Sequence, residues 1–221
     1  MIVAETADGY RFVTQPDHAA LAGRFADHWG NDAIGRPAAG PRLVMAAYLH
    51  DVGWEPFDRR PRLDGAGRPI DFRETPADAW IELYEDGIES AAELDPLAGL
   101  LVSMHGAGLR KRRYGLSPGW PATPPTYEAF VERQEARQSR LLDELLDDGA
   151  EPQLGPADAD LLSALQDSGG PPDGSRSTLW QAYELLQAWD TLSLAFCTTT
   201  SPPGYGTIGN VPPAPTWRTS S

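Results

Sequence analysis

The chain has 221 residues, 41% of them hydrophobic, with 32 acidic and 18 basic side chains and a formal charge of −14. That length suits one domain with a substantial core, and that charge argues against nucleic acid as the main partner, because phosphate backbones need a basic face. The single cysteine, Cys197, excludes an internal disulfide framework and a Cys-rich zinc site, and fits a reducing compartment. The opening MIVAETADGYRFVTQ has no basic leader followed by a long apolar run. The longest apolar stretches fall short of the ~18 residues of a spanning helix. The expectation is a cytoplasmic protein with no membrane partner.

Residues 2–14 read as a hairpin: IVAET and YRFVT are strand-like, and Ala7-Asp8-Gly9 supplies the turn. Thr14-Gln15-Pro16-Asp17 reads as a helix start, with Thr as cap, and the helix is expected to run to Trp29 before Gly30-Asn31. Pro41 opens a second helix, RLVMAAYLHDVGW. Residues 55–76 form an ordered loop rich in Pro and Gly. A helix follows from about Ala77 to Ala92. The next, DPLAGLLVSMHG, is apolar nearly all round and is expected to be central. Residues 114–125 are a Pro-rich connection. Tyr127–Leu146 is a long amphipathic helix, Pro156–Gln166 a shorter one, and Ser177–Cys197 the last. Residues 201–221 are mostly Pro, Gly, Ser and Thr and are expected to be an extended tail. The expected fold is an all-α helical bundle over residues 1–200 with a small N-terminal β-hairpin at 1–14.

The four histidines are His18, His28, His50 and His105. At about 100° per helical residue, His18 shares a face with Leu21, Ala22, Phe25 and Trp29, and so points inward. His50 shares a face with Leu43, Ala47 and Trp54, and Asp51 is one side-chain step round from it. His105 ends the helix read as buried. Asp190 shares a face with Leu179, Tyr183, Leu186, Ser193 and Cys197. His28 sits about 80° off the apolar stripe, at its edge. A single inward histidine is commonly a hydrogen-bonded core residue, and a buried carboxylate needs a cap, an arginine or a metal. Together, four helices send His or Asp into one interior with few basic residues on those faces. A divalent cation would satisfy them all, and imidazole with carboxylate suits Mn, Fe, Co, Ni or Zn.

The order of these residues, a His, then His-Asp, then a distant Asp, resembles the HD-domain superfamily of metal-dependent phosphohydrolases. The stretches QPDHAALAGRFADHWGN, LHDVGWEPFD, DPLAGLLVSMH and LLQAWDTLSLAFC look more specifically like a bacterial and archaeal branch catalogued as a domain of unknown function. The resemblance covers roughly residues 1–200 and implies an HD-domain-like bundle. It implies one divalent metal per chain, held by His18, His50, Asp51 and Asp190. Two departures stand out. Trp54 occupies the position, three after the Asp, where some of these hydrolases carry an acid, and Glu55 comes one later. Binuclear branches use further histidines, and this chain offers only His105 there.

The implied reaction is hydrolysis of a nucleotide or small phosphorylated metabolite, in which the metal lowers the pKa of a bound water and polarises a phosphoryl oxygen. Asp51 or Asp190 would orient that water, and His105 or Glu55 would move the proton. The run Arg110-Lys111-Arg112-Arg113 holds the only lysine of the chain. It is either a solvated helix end or an anion clamp in which Arg110, Arg112 and Arg113 take phosphate oxygens. Arg59, Arg60 and Arg62 are the rival clamp. Trp54 and Phe57 either wall a substrate pocket or pack. The expected partner is the phosphorylated substrate, and a homodimer stays open. Two other readings remain, an HD-fold diiron oxygenase and a non-catalytic metal-binding module.

Overall fold

In the computed structural model, residues 1–32, 34–117, 122–147, 154–175 and 177–198 are described. Strands β1 (Ile2–Thr6) and β2 (Gly9–Val13) form an antiparallel hairpin in which Ile2 faces Val13. Among the described residues, everything after it is helical or loop apart from an isolated bridge between Leu63 and Pro69, so the protein is all-α with an N-terminal hairpin. The expected C-terminal tail, residues 201–221, lies outside the described residues. Among the described residues, no helix is long and apolar enough to cross a membrane.

Helix α1 spans Gln15–Asp27, with Thr14 accepting the Asp17 amide at 3.1 Å as its cap. It stops two residues before the expected end, on His28. Helix α2 spans Gly40–Leu49. Next come a tight turn at Val52–Trp54 and the short helix α3, Glu55–Asp58. The loop beyond carries a one-turn helix at Phe72–Glu74. Helices α4 (Ala77–Leu94) and α5 (Pro96–Gly108) are joined at Asp95, whose side chain accepts the Ala98 amide at 2.9 Å and starts α5. Helices α6 (Pro125–Asp147), α7 (Pro156–Ser168) and α8 (Thr178–Thr198) complete the chain.

Helix α5 is the axle of the bundle. Every residue from Leu97 to Gly108 is buried, and it packs against α2, α4, α6 and α8. This explains why it is apolar on all sides rather than on one stripe. Leu97, Leu100, Leu101 and Met104 are each fully enclosed, worth about 1.5–3 kcal/mol apiece relative to exposure. Helix α1 closes one side of the bundle, packed on α2 and α8.

The helix expected to run through AYLHDVGW instead breaks after Leu49. The cause is a close backbone approach. A Cβ on Gly53 would stand 1.8 Å from the Leu83 carbonyl oxygen, and one on Gly87 would stand 2.8 Å from the Gly53 amide. Two glycines facing each other let the turn press onto α4, which a continuous helix would not do.

Candidate metal centre

The break after α2 decides the geometry of the site. On a continuous helix, His50 and Asp51 would diverge by about 100°. Here His50 caps α2 and Asp51 leaves the helix at φ −122°, so both side chains reach the same interior point. His18 from α1 and Asp190 from α8 reach it too. His18, His50, Asp51 and Asp190 are each at least 96% buried.

His50 Nδ1 lies 2.8 Å from the Ala47 carbonyl oxygen, which only accepts, so that nitrogen carries the hydrogen. His18 Nδ1 lies 2.8 Å from Ser193 Oγ, and the Ser193 hydroxyl donates to the Asp190 carbonyl oxygen at 2.9 Å. The hydroxyl therefore accepts from His18 Nδ1–H. With those hydrogens on Nδ1, each ring turns its Nε2 inward, and these two nitrogens are 3.2 Å apart. Asp51 Oδ2 lies 3.5 Å from His50 Nε2 and 3.7 Å from His18 Nε2. Asp190 Oδ1 lies 3.1 Å from His18 Nε2 and 3.7 Å from His50 Nε2. One ligand atom from each of His18, His50 and Asp51 falls within 4.8 Å of the others.

Four acceptors so placed repel one another unless a positive charge sits among them. A proton is one solution. Burial alone would lower the His50 pKa, but Asp51 and Asp190 outweigh it and raise it from 6.5 to about 9. A divalent cation is the other. Imidazoles whose Nδ1–H is held from outside, with Nε2 free, are arranged as metal-ligating histidines are. His18, His50 and Asp51 form a buried group that could hold a metal ion, and Asp190 Oδ1 stands beside it.

The surroundings hold the carboxylates in place. Tyr84, from α4, donates its hydroxyl to Asp51 Oδ1 at 2.7 Å. Burial and the Asp51 charge raise the Tyr84 pKa well above 10, so it remains a donor. Burial alone would raise the Asp190 pKa. Its bonds to His18 and His50 and the Arg113 charge outweigh that, and hold Asp190 ionised well below the usual carboxylate range. Arg113 Nη2 stands 3.3 Å from Asp190 Oδ2, and Arg113 Nη1 donates to Thr191 Oγ1 at 3.1 Å. Arg113 reaches that position from a turn in which Arg112, Arg113 and Tyr114 have φ of 57°, 50° and 50°. Each such residue costs about 1–2 kcal/mol.

The centre opens into a pocket of about 440 Å³. His18, Asp51, His105 and Asp190 line its floor, Phe72, Trp80 and Tyr84 its aromatic side, and Arg73, Arg110 and Arg113 its cationic side. His105 sits beside the metal ligands, its ring centroid 4.9 Å from that of His50. Gln187 Nε2 donates to His105 Nδ1 at 3.0 Å, and burial lowers the His105 pKa from 6.5 to about 4. The ring is neutral at physiological pH.

Of the residues expected from sequence, the structure brings together His18, His50, Asp51, His105, Asp190, Arg110 and Arg113. It leaves out four. Glu55 starts α3 with its side chain 61% exposed, paired with Arg59 at 3.3 Å and away from the pocket lining. Trp54 is buried, packed edge-on against Phe57, Phe72 and Tyr84, and backs the pocket wall without lining it. Arg112 is exposed and off the pocket. His28 is 80% exposed, with Nδ1 3.0 Å from the Arg24 carbonyl oxygen. Sequence reasoning missed Tyr84, Ser193, Gln187 and Arg73. Tyr84 and Ser193 left a signal, being polar groups on inward helix faces that need a partner. Arg73 left none.

Fold and site together define an α-helical protein with a buried His/Asp centre that could hold a metal ion. Residues 1–209 match the family described as Protein of unknown function (DUF3891), and the chain belongs to that family. No curated protein and no solved structure matches it.

Proposed function

We propose that this protein is a metal-dependent phosphohydrolase of HD-domain type, acting on a nucleotide or a small phosphorylated metabolite. The observation that carries this reading is the coincidence of three things in one pocket: a cation-demanding floor, a neutral buried imidazole beside it, and three guanidinium groups on the wall. In a chain with a net charge of −14, a pocket edged by guanidinium groups, of which Arg113 pairs with Asp190 and Arg73 with Asp71, favours an anion at Arg110. Its volume is that of a small-ligand site.

A bound divalent cation would supply Lewis acidity and a water acidified toward neutrality. The chain's own residues do the rest. Asp51 and Asp190 anchor the cation and are themselves fixed by Tyr84 and Arg113. His105 accepts from Gln187 at Nδ1, so the neutral ring carries its hydrogen on Nε2 and offers the pocket an N–H donor for a water or substrate oxygen. The aromatic side formed by Phe72, Trp80 and Tyr84 shields the reacting group from solvent and suits a substrate with a planar ring. With Asp51 and Asp190 ionised, Arg113 charged and a divalent cation bound, the floor keeps a net positive charge, which favours the charge that develops on a transferring phosphoryl group.

The test is direct. Chelated protein is reloaded singly with Mn, Fe, Co, Ni or Zn and assayed for phosphate release from nucleotides and simple phosphate esters. One metal ion per chain and release that Asp51→Ala abolishes are expected. Silence of every loaded form across the panel refutes the reaction. About two irons per chain would instead favour the diiron oxygenase.

A further inference from the structure

The four cations of the 110–113 run have four different fates. Lys111 Nζ is tied to Glu135 Oε1 at 2.7 Å and to the Gln166 carbonyl oxygen at 2.6 Å. Arg112 is exposed. Arg113 is committed to Asp190 and Thr191. Arg110 alone lines the pocket with no carboxylate against it among the described residues, and its buried Nε has no hydrogen-bond partner.

Arg110 is nevertheless held in place. Its guanidinium carbon stands 3.9 Å from the centroid of Trp80 and 4.0 Å from that of Tyr127, in the corner made by two rings that meet edge-on at 82°. The Thr123 hydroxyl donates to the Arg110 carbonyl oxygen at 2.8 Å and fixes the backbone below. Two rings at 82° cannot both stack on one guanidinium plane, so one of them meets an N–H edge, but no side-chain oxygen takes the Nε–H, and a planar fork with donors to spare suits an oxyanion. Burial lowers the Arg110 pKa, the cost of holding a cation with no acid beside it. A chain with 32 acidic residues has kept carboxylates away from this one.

We propose that Arg110, held in the corner of Trp80 and Tyr127, is the residue that recognises the substrate's phosphate oxygens, whereas Arg113 is a positioning residue that holds Asp190. This assigns the anion-binding residue within the phosphohydrolase reading, and rests on it for the identity of the anion as phosphate. The corner connects to the centre. Trp80 stacks on Tyr84 at 4.1 Å, and Tyr84 donates to Asp51. An anion on Arg110 is therefore registered against the metal floor by a continuous packed wall.

The experiment measures binding of inorganic phosphate, with acetate for comparison, by calorimetry on the full chain with metal removed by chelator. Arg110→Gln should weaken phosphate at least tenfold, Arg110→Lys less, and Tyr127→Leu should fall between wild type and Arg110→Gln. Arg112→Gln should match wild type. In the metal-loaded protein, Arg110→Gln should raise KM with a smaller change in kcat. Thermal melts confirm that each variant is folded. Wild-type phosphate affinity in Arg110→Gln overturns the proposal, as does a chain that prefers acetate or binds no phosphate. Phosphate binding that depends on Arg110, with no ester hydrolysed, would sink the reaction and leave the anion site standing.

Discussion

Removing one hydroxyl tests the metal centre without touching a ligand. Ser193 Oγ, fully buried, accepts from His18 Nδ1 at 2.8 Å and donates to the Asp190 carbonyl oxygen at 2.9 Å. In Ser193→Ala the imidazole loses the acceptor that keeps its hydrogen on Nδ1. The hydrogen can then move to Nε2, where it blocks the lone pair turned toward the cation. Loss of such outer partners typically weakens metal binding about 10–100-fold. If wild type is saturated at 100 times its Kd, the metal stabilises it by about 2.7 kcal/mol, a rise in Tm of roughly 5–10 °C for a chain this long. The same metal concentration would then stabilise Ser193→Ala by only about 0.4–1.4 kcal/mol, roughly 1–5 °C. Separately, the chelated variant loses about 1–3 kcal/mol because a buried donor is orphaned. The assay is a pair of melting curves for each protein, with chelator and with metal, together with a competition measurement of Kd. If Ser193→Ala binds metal as tightly as wild type, His18 is not a ligand held in that tautomer, and the lone-pair reasoning fails.

Three further outcomes are expected. With chelator present, His50 carries a pKa raised from 6.5 to about 9. Its contribution, about 3 kcal/mol, is fully present below pH 6.5 and lost as pH rises through 9. The metal-loaded chain, whose His50 stays unprotonated in the fold, should show no such loss of Tm as pH rises through 9. Equal melting of the chelated chain at pH 6 and pH 9.5 would show that no proton substitutes for the cation. Gly53→Ala forces a methyl to within 1.8 Å of the Leu83 carbonyl oxygen and should destabilise by about 3 kcal/mol or more. Metal affinity should fall with it, because the turn that presents His50 and Asp51 must shift; denaturant titration and Kd read both effects. Glu55→Gln, on an exposed side chain, should leave metal affinity and turnover as they are. A tenfold loss of turnover in that variant would put a proton carrier where the structure has solvent.

The helices were legible because they are long and strongly patterned. Thr14 as a cap and the all-round apolar character of α5 can be read from residue types alone, and the inward faces of His18 and Asp190 follow from helical spacing. The break at His50-Asp51 was not, because its cause lies in another helix. Gly53 is tolerable inside a helical pattern until Leu83 and Gly87 press against it. The route of Arg113 was equally hidden, since three successive non-glycine residues at positive φ run against local preference and are fixed only by what they touch. The placement of Glu55 away from the pocket comes from the same break. On a continuous helix it would have followed the motif round toward the core, whereas the new helix start turns it to solvent.

The strained turn and the buried aspartate explain each other. Three left-handed residues cost about 3–6 kcal/mol in total, and a buried ion pair that loses one partner costs about 3–5 kcal/mol. The two magnitudes are comparable, so the fold can sustain the turn because it brings Arg113 to Asp190. Arg113 takes Oδ2 and leaves Oδ1 directed at His18 and His50. An arginine that approached Oδ1 instead would supply the positive charge from within the protein, and the centre would have no use for a cation. Because the guanidinium is confined to the far oxygen, both Nε2 atoms still face each other at 3.2 Å. Arg113 therefore keeps Asp190 ionised without satisfying the site. The metal that satisfies it makes the floor of an acidic protein attractive to an anion.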